Sequence, residues 1–258
     1  HAGHNAVNLR SAIAEYERAV AIDPKFAEAH AQLGKMHAHM KWYRIDLSRK
    51  RMEKSKESIE KAISLKPENS VVSIAQGTYY YHGFRDYGKA LIGYTKAKEF
   101  APNYAASYFY LATVYRRLGD FEKSIEEYKK AVELDPRSWL VMQNMIITYN
   151  EIRKYDEALS LMERAKQNFG EEFSGQGLKV RILRNRGELD LAKNVNVGGN
   201  TNDYKKITDS YLSRDLVSLR KILSNSNSEI FGSIRSYFHI DYFLGMLELF
   251  SNNTNDAK

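Results

Sequence analysis

Residues 105–136 read AASYFYLATVYRRLGDFEKSIEEYKKAVELDP, and this stretch decides the fold. Tyr108, Leu111 and Tyr115 recur at helical spacing and give a first helix one apolar stripe. Gly119 ends that helix, because glycine enters the left-handed region without a Cβ penalty. Asp120 follows as an oxygen able to cap the next helix. Ile125, Tyr128 and Val132 form the inner stripe of a second helix. Pro136 stops it, since proline donates no backbone hydrogen bond and clashes with the preceding turn. Ala112, Ser124 and Ala131 are small, which lets two antiparallel helices approach closely.

The same phase returns along the chain. Its four prolines are Pro24, Pro67, Pro102 and Pro136, the last two intervals being 35 and 34 residues, and Gly170 follows at the next step. Before each breaker the residues repeat: Ala12, Tyr16, Ala19; Ser55, Ile59, Ala62; Ala90, Tyr94, Ala97; Ser124, Tyr128, Ala131; Ala158, Met162, Ala165. A period of this length predicts stacked helix pairs, each burying its apolar face against its neighbours.

These residues resemble the tetratricopeptide repeat. Tyr108 stands where that family has Trp, Leu111-Ala112 for its Leu-Gly and Tyr115 for its Tyr; Ser124, Tyr128, Ala131 and Pro136 complete the pattern. The resemblance implies an all-α right-handed superhelix, an α-α solenoid of antiparallel helix pairs. Residues 79–91 (YYYHGFRDYGKAL), 101–105 (APNYA), 114–137 and 153–159 (RKYDEAL) also resemble the repeat regions of bacterial signalling proteins, where repeats follow a cyclase, a kinase or a winged-helix domain. Over about residues 27–165 this implies a regulatory segment that binds protein or peptide.

Residues 1–170 are read as repeats. The first is half-length, with its second helix over Asn8–Ile22, and the second is stretched by an insertion at about 41–50. The third has one extra residue near Tyr79-Tyr80-Tyr81, which leaves either Gly77 or Thr78 as the small contact residue. The fifth spans Trp139–Gly170. Residues 171–258 are read as a degenerate helical region, with one pair around Leu178, Leu183, Gly187, Leu191 and Ala192 and a loop near 197–203. Beginning and ending in mid-repeat, the chain is expected to be a piece of a longer protein.

By the resemblance, the first helices line a concave groove. The stripe expected to face it holds Lys35, Tyr79, His82, Phe109, Thr113, Arg116, Arg117, Gln143, Ile147, Asn150, Arg181 and Arg184. Aromatic rings supply area at low entropic cost and Arg binds carboxylates bidentately, so an extended or helical peptide with acidic groups is the expected ligand. Arg116 and Arg117 have a second reading, as solvated cations favoured by a helix C-terminus. A dicarboxylate clamp is not expected: of Phe109, Thr113, Asn144, Ser174 and Leu178, which occupy one set of its positions, only Asn144 fits.

His30, His37 and His39 with Met36 and Met40 suggest a metal site at first sight, but His30 and His37 replace the bulky aromatics of the repeat and should face the helix partner. No catalytic, nucleotide-binding or zinc-binding motif is present. The expectation is a non-enzyme with no cofactor and no metal. The 258 residues contain no cysteine, which excludes disulfides and thiolate sites, and no long apolar run that would span a membrane. A net charge of +7 raises nucleic-acid binding, yet Arg49-Lys50-Arg51 through Lys61 is interleaved with Glu53, Glu57 and Glu60 at ion-pair spacing. Nucleic acid is therefore set behind a protein partner. A self-assembling scaffold, with homodimers through open repeat ends, is the third reading. A cytoplasmic setting is favoured over a periplasmic one.

Overall fold

The computed structural model describes residues 2–170 and 175–195. All the regular structure among them is helical: α1 (Ala2–Ile22), α2 (Ala27–Trp42), α3 (Arg49–Leu65), α4 (Ser70–Phe84), α5 (Tyr87–Phe100), α6 (Ala105–Leu118), α7 (Phe121–Leu134), α8 (Trp139–Glu151), α9 (Tyr155–Phe169), α10 (Gln176–Arg186) and α11 (Leu189–Lys193). The helix expected from Asn8 begins at Ala2. The loop read near 197–203 and the helical patterns beyond it lie outside the described residues. Contacts divide the chain into two compact units, Ala2–Thr148 and Tyr149 onward.

In the first unit α2 packs on α3, α4 on α5 and α6 on α7, as stacked antiparallel pairs. The pairs join through α1 with α2, α3 with α4 and α5 with α6; the first helices also meet, α2 with α4 and α4 with α6. In the second unit α9 packs on α10 and α10 on α11, with Val180, Leu183 and Ala192 buried against Leu159 and Val195.

Small residues occupy the close approaches. Ser55, Ala90, Ser124 and Ala158, twelve before Pro67, Pro102, Pro136 and Gly170, and Ala62, Ala97, Ala131 and Ala165, five before them, are all 0% exposed. The two serines add polar links across each pair: Ser55 Oγ donates to the Gly34 carbonyl at 2.7 Å and Ser124 Oγ to that of Ala112 at 2.8 Å. Gly34 and Ala112 are thus equivalent positions.

In the third repeat the small contact is Gly77. A Cβ there would lie 2.4 Å from the Tyr94 ring, and one on Gly93 would lie 2.8 Å from the Gly77 nitrogen, so backbone meets backbone. Thr78 then matches Thr113, and each hydroxyl meets a tyrosine of the second helix, Tyr94 at 3.3 Å and Tyr128 at 3.2 Å. The extra residue is absorbed inside the helix, since α4 has 15 residues and α6 has 14.

Every first helix ends in one device. Arg44, Arg85, Gly119, Arg153 and Gly187 all have positive φ, between 55° and 94°. The N–H of the following residue reaches back five positions in Asp120 to Tyr115 at 3.0 Å and in Glu188 to Leu183 at 2.9 Å, and six in Asp86 to Tyr80 at 3.1 Å, where α4 holds its extra residue. Asp86 and Asp120 then cap α5 and α7 through the N–H groups of Lys89 and Lys123.

Most of the insertion near 41–50 is ordered turn. Ile45 packs with Ile13, Leu33 and Met40. Ser48 caps α3 at the Arg51 N–H, and Arg51 Nε donates to Asp46 Oδ2 at 2.8 Å.

Candidate functional site

Three successive first helices bring aromatic and cationic side chains together in the first unit. Lys35 and His39 lie one turn apart on α2, followed by Trp42 and Tyr43. From α4, the His82 ring stacks on Trp42 at 4.5 Å and meets His39 edge-on at 4.6 Å. Tyr81 packs beside both Trp42 and His82, at 5.3 and 5.0 Å. From α6, Arg117 Nε donates to the Tyr81 hydroxyl at 2.9 Å, and its guanidinium lies 5.9 Å from the Trp42 centroid. Arg116 Nη2 donates to Asn144 Oδ1 at 3.2 Å. Tyr110 presents its ring to the Lys35 ammonium at 6.0 Å. Side chains of α2 and α6 therefore meet across α4.

Burial sets the electrostatics. It lowers the Lys35 ammonium to about 8 and, with the Lys35 charge nearby, the His39 imidazole to about 4. His82 is held well below its ordinary value by burial, then by His39, Lys35 and Arg117. Burial raises Tyr110 to about 12 and also raises Tyr81, against the opposing hydrogen bond from Arg117. At neutral pH both histidines are neutral.

Residues 105–138 match the family described as tetratricopeptide repeat, residues 8–40 match TPR repeat and residues 47–69 match tetratricopeptide repeat again. The helix pairs and their caps fall on those same segments. The chain carries tetratricopeptide repeats. Among curated proteins it is similar to anaphase-promoting complex subunit 3 of Schizosaccharomyces pombe, 26% identical over 175 residues, covering 68% of this chain and 25% of that one. It is also similar to the probable UDP-N-acetylglucosamine–peptide N-acetylglucosaminyltransferase SPINDLY of Eustoma exaltatum, 31% identical over 142 residues, 52% of this chain and 15% of that one. The chain spans a quarter or less of the length of these relatives. A solved tetratricopeptide repeat protein from Parabacteroides merdae shares the fold, with a TM-score of 0.57, 14% identity, and 89% and 91% of the two chains covered.

Within the tetratricopeptide frame, His82, Arg116 and Arg117 fall in or beside the cluster. Phe109 packs on Tyr110 at 5.2 Å and Tyr128 at 6.2 Å, so much of its ring serves packing. Thr113 is bonded to the Phe109 carbonyl as well as to Tyr128. Gln143 and Ile147 are half-buried on α8.

Tyr79 stands apart. It lines a cleft of about 380 Å³ with Lys56, Ile59, Glu60 and Ile63 of α3 and Phe84 of α4. The reason is that Thr78, not Tyr79, takes the place of Thr113, so Tyr79 falls one residue, about 100°, past the expected face. In the second unit Asn150 is buried and accepts from Asn185 at 3.1 Å, while Arg184 donates to Asn185 at 3.3 Å; Arg181 is half-buried on the same helix.

The three histidines of α2 do not converge. His30 Nε2 meets the Pro24 carbonyl at 3.1 Å, matching Tyr108 on Pro102 at 2.6 Å, whereas His37 Nδ1 meets Arg51 Nη1 at 3.0 Å and His39 faces His82. No group of three or more potential metal ligands assembles among the described residues. Sequence reasoning missed His39, Trp42 and Tyr110 as members of the cluster. The helical spacing from Lys35 to His39 was a signal for one of them; the other two join only through stacking of neighbouring repeats.

Proposed function

We propose that this chain is a non-catalytic interaction module that takes a peptide or partner protein on the surface made by α2, α4 and α6. The observation that carries the reading is the cluster itself. Lys35, His39, Trp42, His82 and Arg117 come from three stacked helices and meet in one place, and Arg116 adjoins Arg117 on α6. Such a mixture of ring area and guanidinium suits peptides that carry acidic groups. A regulatory or scaffolding place in a larger signalling protein is supported by the sequence resemblance over residues 27–165. The basic stretch of α3 argues little for nucleic acid, because Arg49, Arg51, Lys54 and Lys56 pair with Glu53, Asp46, Glu17 and Glu60.

A peptide array probed with the full chain tests the reading, followed by the double variant Arg116→Glu, Arg117→Glu. Arg117 also holds the Tyr81 hydroxyl, so circular dichroism must first show the helices intact. The selected peptide should lose about tenfold or more in affinity, equivalent to about 1.4 kcal/mol. Unchanged affinity in a folded double variant rejects the arginines as contacts.

A further inference from the structure

On α2, Lys35 and His39 share a face, being four residues apart. His82 of α4 closes against that face, lying on Trp42 and edge-on to His39. Its Nδ1 is sealed from solvent and has no hydrogen-bond partner among the described residues. Folded proteins seldom leave such an atom orphaned, and ligand recognition is one role that explains the exception. Lys35, whose ammonium faces the Tyr110 ring, makes no hydrogen bond or ion pair among the described residues. The other titratable or charged groups facing the three are Tyr43 from α2, Tyr81 from α4, and Tyr110 and Arg117 from α6. At pH 7 every one of these is neutral or cationic. The cluster has positive charge, flanking rings and an unpartnered nitrogen, and its described residues supply no anion.

We propose that Lys35, His39 and His82 form a single anchor for one carboxylate side chain, an Asp or Glu, of the bound peptide. This deepens the interaction reading above and rests on it. Lys35 supplies the charge, the imidazoles donate N–H groups, and Trp42 and Tyr110 flank the site. The positions differ from those of a dicarboxylate clamp, which needs Asn where Lys35 stands. Proton linkage follows. In the free chain burial and neighbouring cations keep both histidines neutral, His39 down to about 4. A bound carboxylate favours the imidazolium and raises both, so binding takes up protons. Affinity then rises as pH falls from neutral towards about 5. It declines above about 8, where Lys35 loses its charge.

An array of end-blocked random peptides, probed with the full chain, selects the ligand. Its tightest member is then compared with versions in which each Asp or Glu becomes Asn or Gln. The anchor requires one acidic position whose neutralisation costs about tenfold or more, and an equal loss in Lys35→Met and His82→Gln. Lys129→Met, an equal charge change on the exposed side of α7, should leave affinity unchanged. The His82 and His39 ring signals in NMR should titrate at higher pH in the complex, a readout that a purely structural role does not move.

Selected peptides without any acidic residue overturn the anchor and leave the interaction reading standing. So does an equal effect of Lys35→Met and Lys129→Met. An array on which nothing binds overturns both readings. Lys35-dependent binding of an oligo-dT strand without peptide binding does so too, in favour of phosphate.

Discussion

His37 shows how strongly one side chain can depend on its neighbours. It is 1% exposed and its Nδ1 meets Arg51 Nη1, while Arg51 is itself tied to Asp46. Burial first, and then the charges of Arg51 and Lys54, bring its pKa down to about 4, with Asp46 opposing. An unfolded chain has histidines near about 6.5. As pH falls the unfolded state therefore takes up protons first, and stability is lost between about 6.5 and about 4. His39 and His82 are depressed too and act with the same sign. The urea midpoint should fall between about pH 7 and about pH 5. His37→Gln, which keeps an acceptor for Arg51, should make that fall shallower. A midpoint that stays flat over this interval contradicts the account. The pattern of the repeat already placed His37 towards the partner helix; that its partner is Arg51 depended on how the insertion folds back.

At the scale of elements, the ends of the first helices matter most. Five of them finish with a residue in the left-handed region, yet only Gly119 and Gly187 are glycine, and Arg44, Arg85 and Arg153 fill the other three. A side chain there costs about 1–2 kcal/mol. Arg at a helix C-terminus recovers part of this through the dipole, about 0.3–1 kcal/mol, and glycine would lose extra chain entropy on folding. The balance still favours glycine. Arg85→Gly should raise stability by roughly 0.5 kcal/mol, read as a higher urea midpoint with an unchanged slope. A lower midpoint means that the Arg85 side chain has a structural partner outweighing its strain. Gly119 could be read from the sequence as a helix end, whereas Arg85 could not, because nothing local distinguishes it from a helical arginine.

The whole first unit is a linear array in which each pair touches the next. Its cohesion is therefore a chain of nearest-neighbour interfaces rather than one central core. Tyr94 sits at one such junction, fully buried, with Gly77 against its ring and Tyr110 stacked at 5.1 Å. Tyr94→Ala should cost about 3–5 kcal/mol, as for other large aromatic truncations. Hydrogen exchange should speed up most in α4 and α5, less in α6 and least in α1. Equal acceleration in every helix would show a single cooperative block and reject the nearest-neighbour account.

Local chemistry alone determined the period, the helix pairs, the breakers and the small residues between helices. Each of these depends on residues within one repeat: proline stops a helix whatever surrounds it, and Gly, Ala or Ser at the crossing points lets a helix pair close up. The choice between Gly77 and Thr78 needed the partner helix, because either is small enough until Tyr94 is in place. The cluster of Lys35, His39, Trp42, His82, Tyr110 and Arg117 was a tertiary outcome. Its members come from helices in three different repeats, and only stacking brings them within reach of one another.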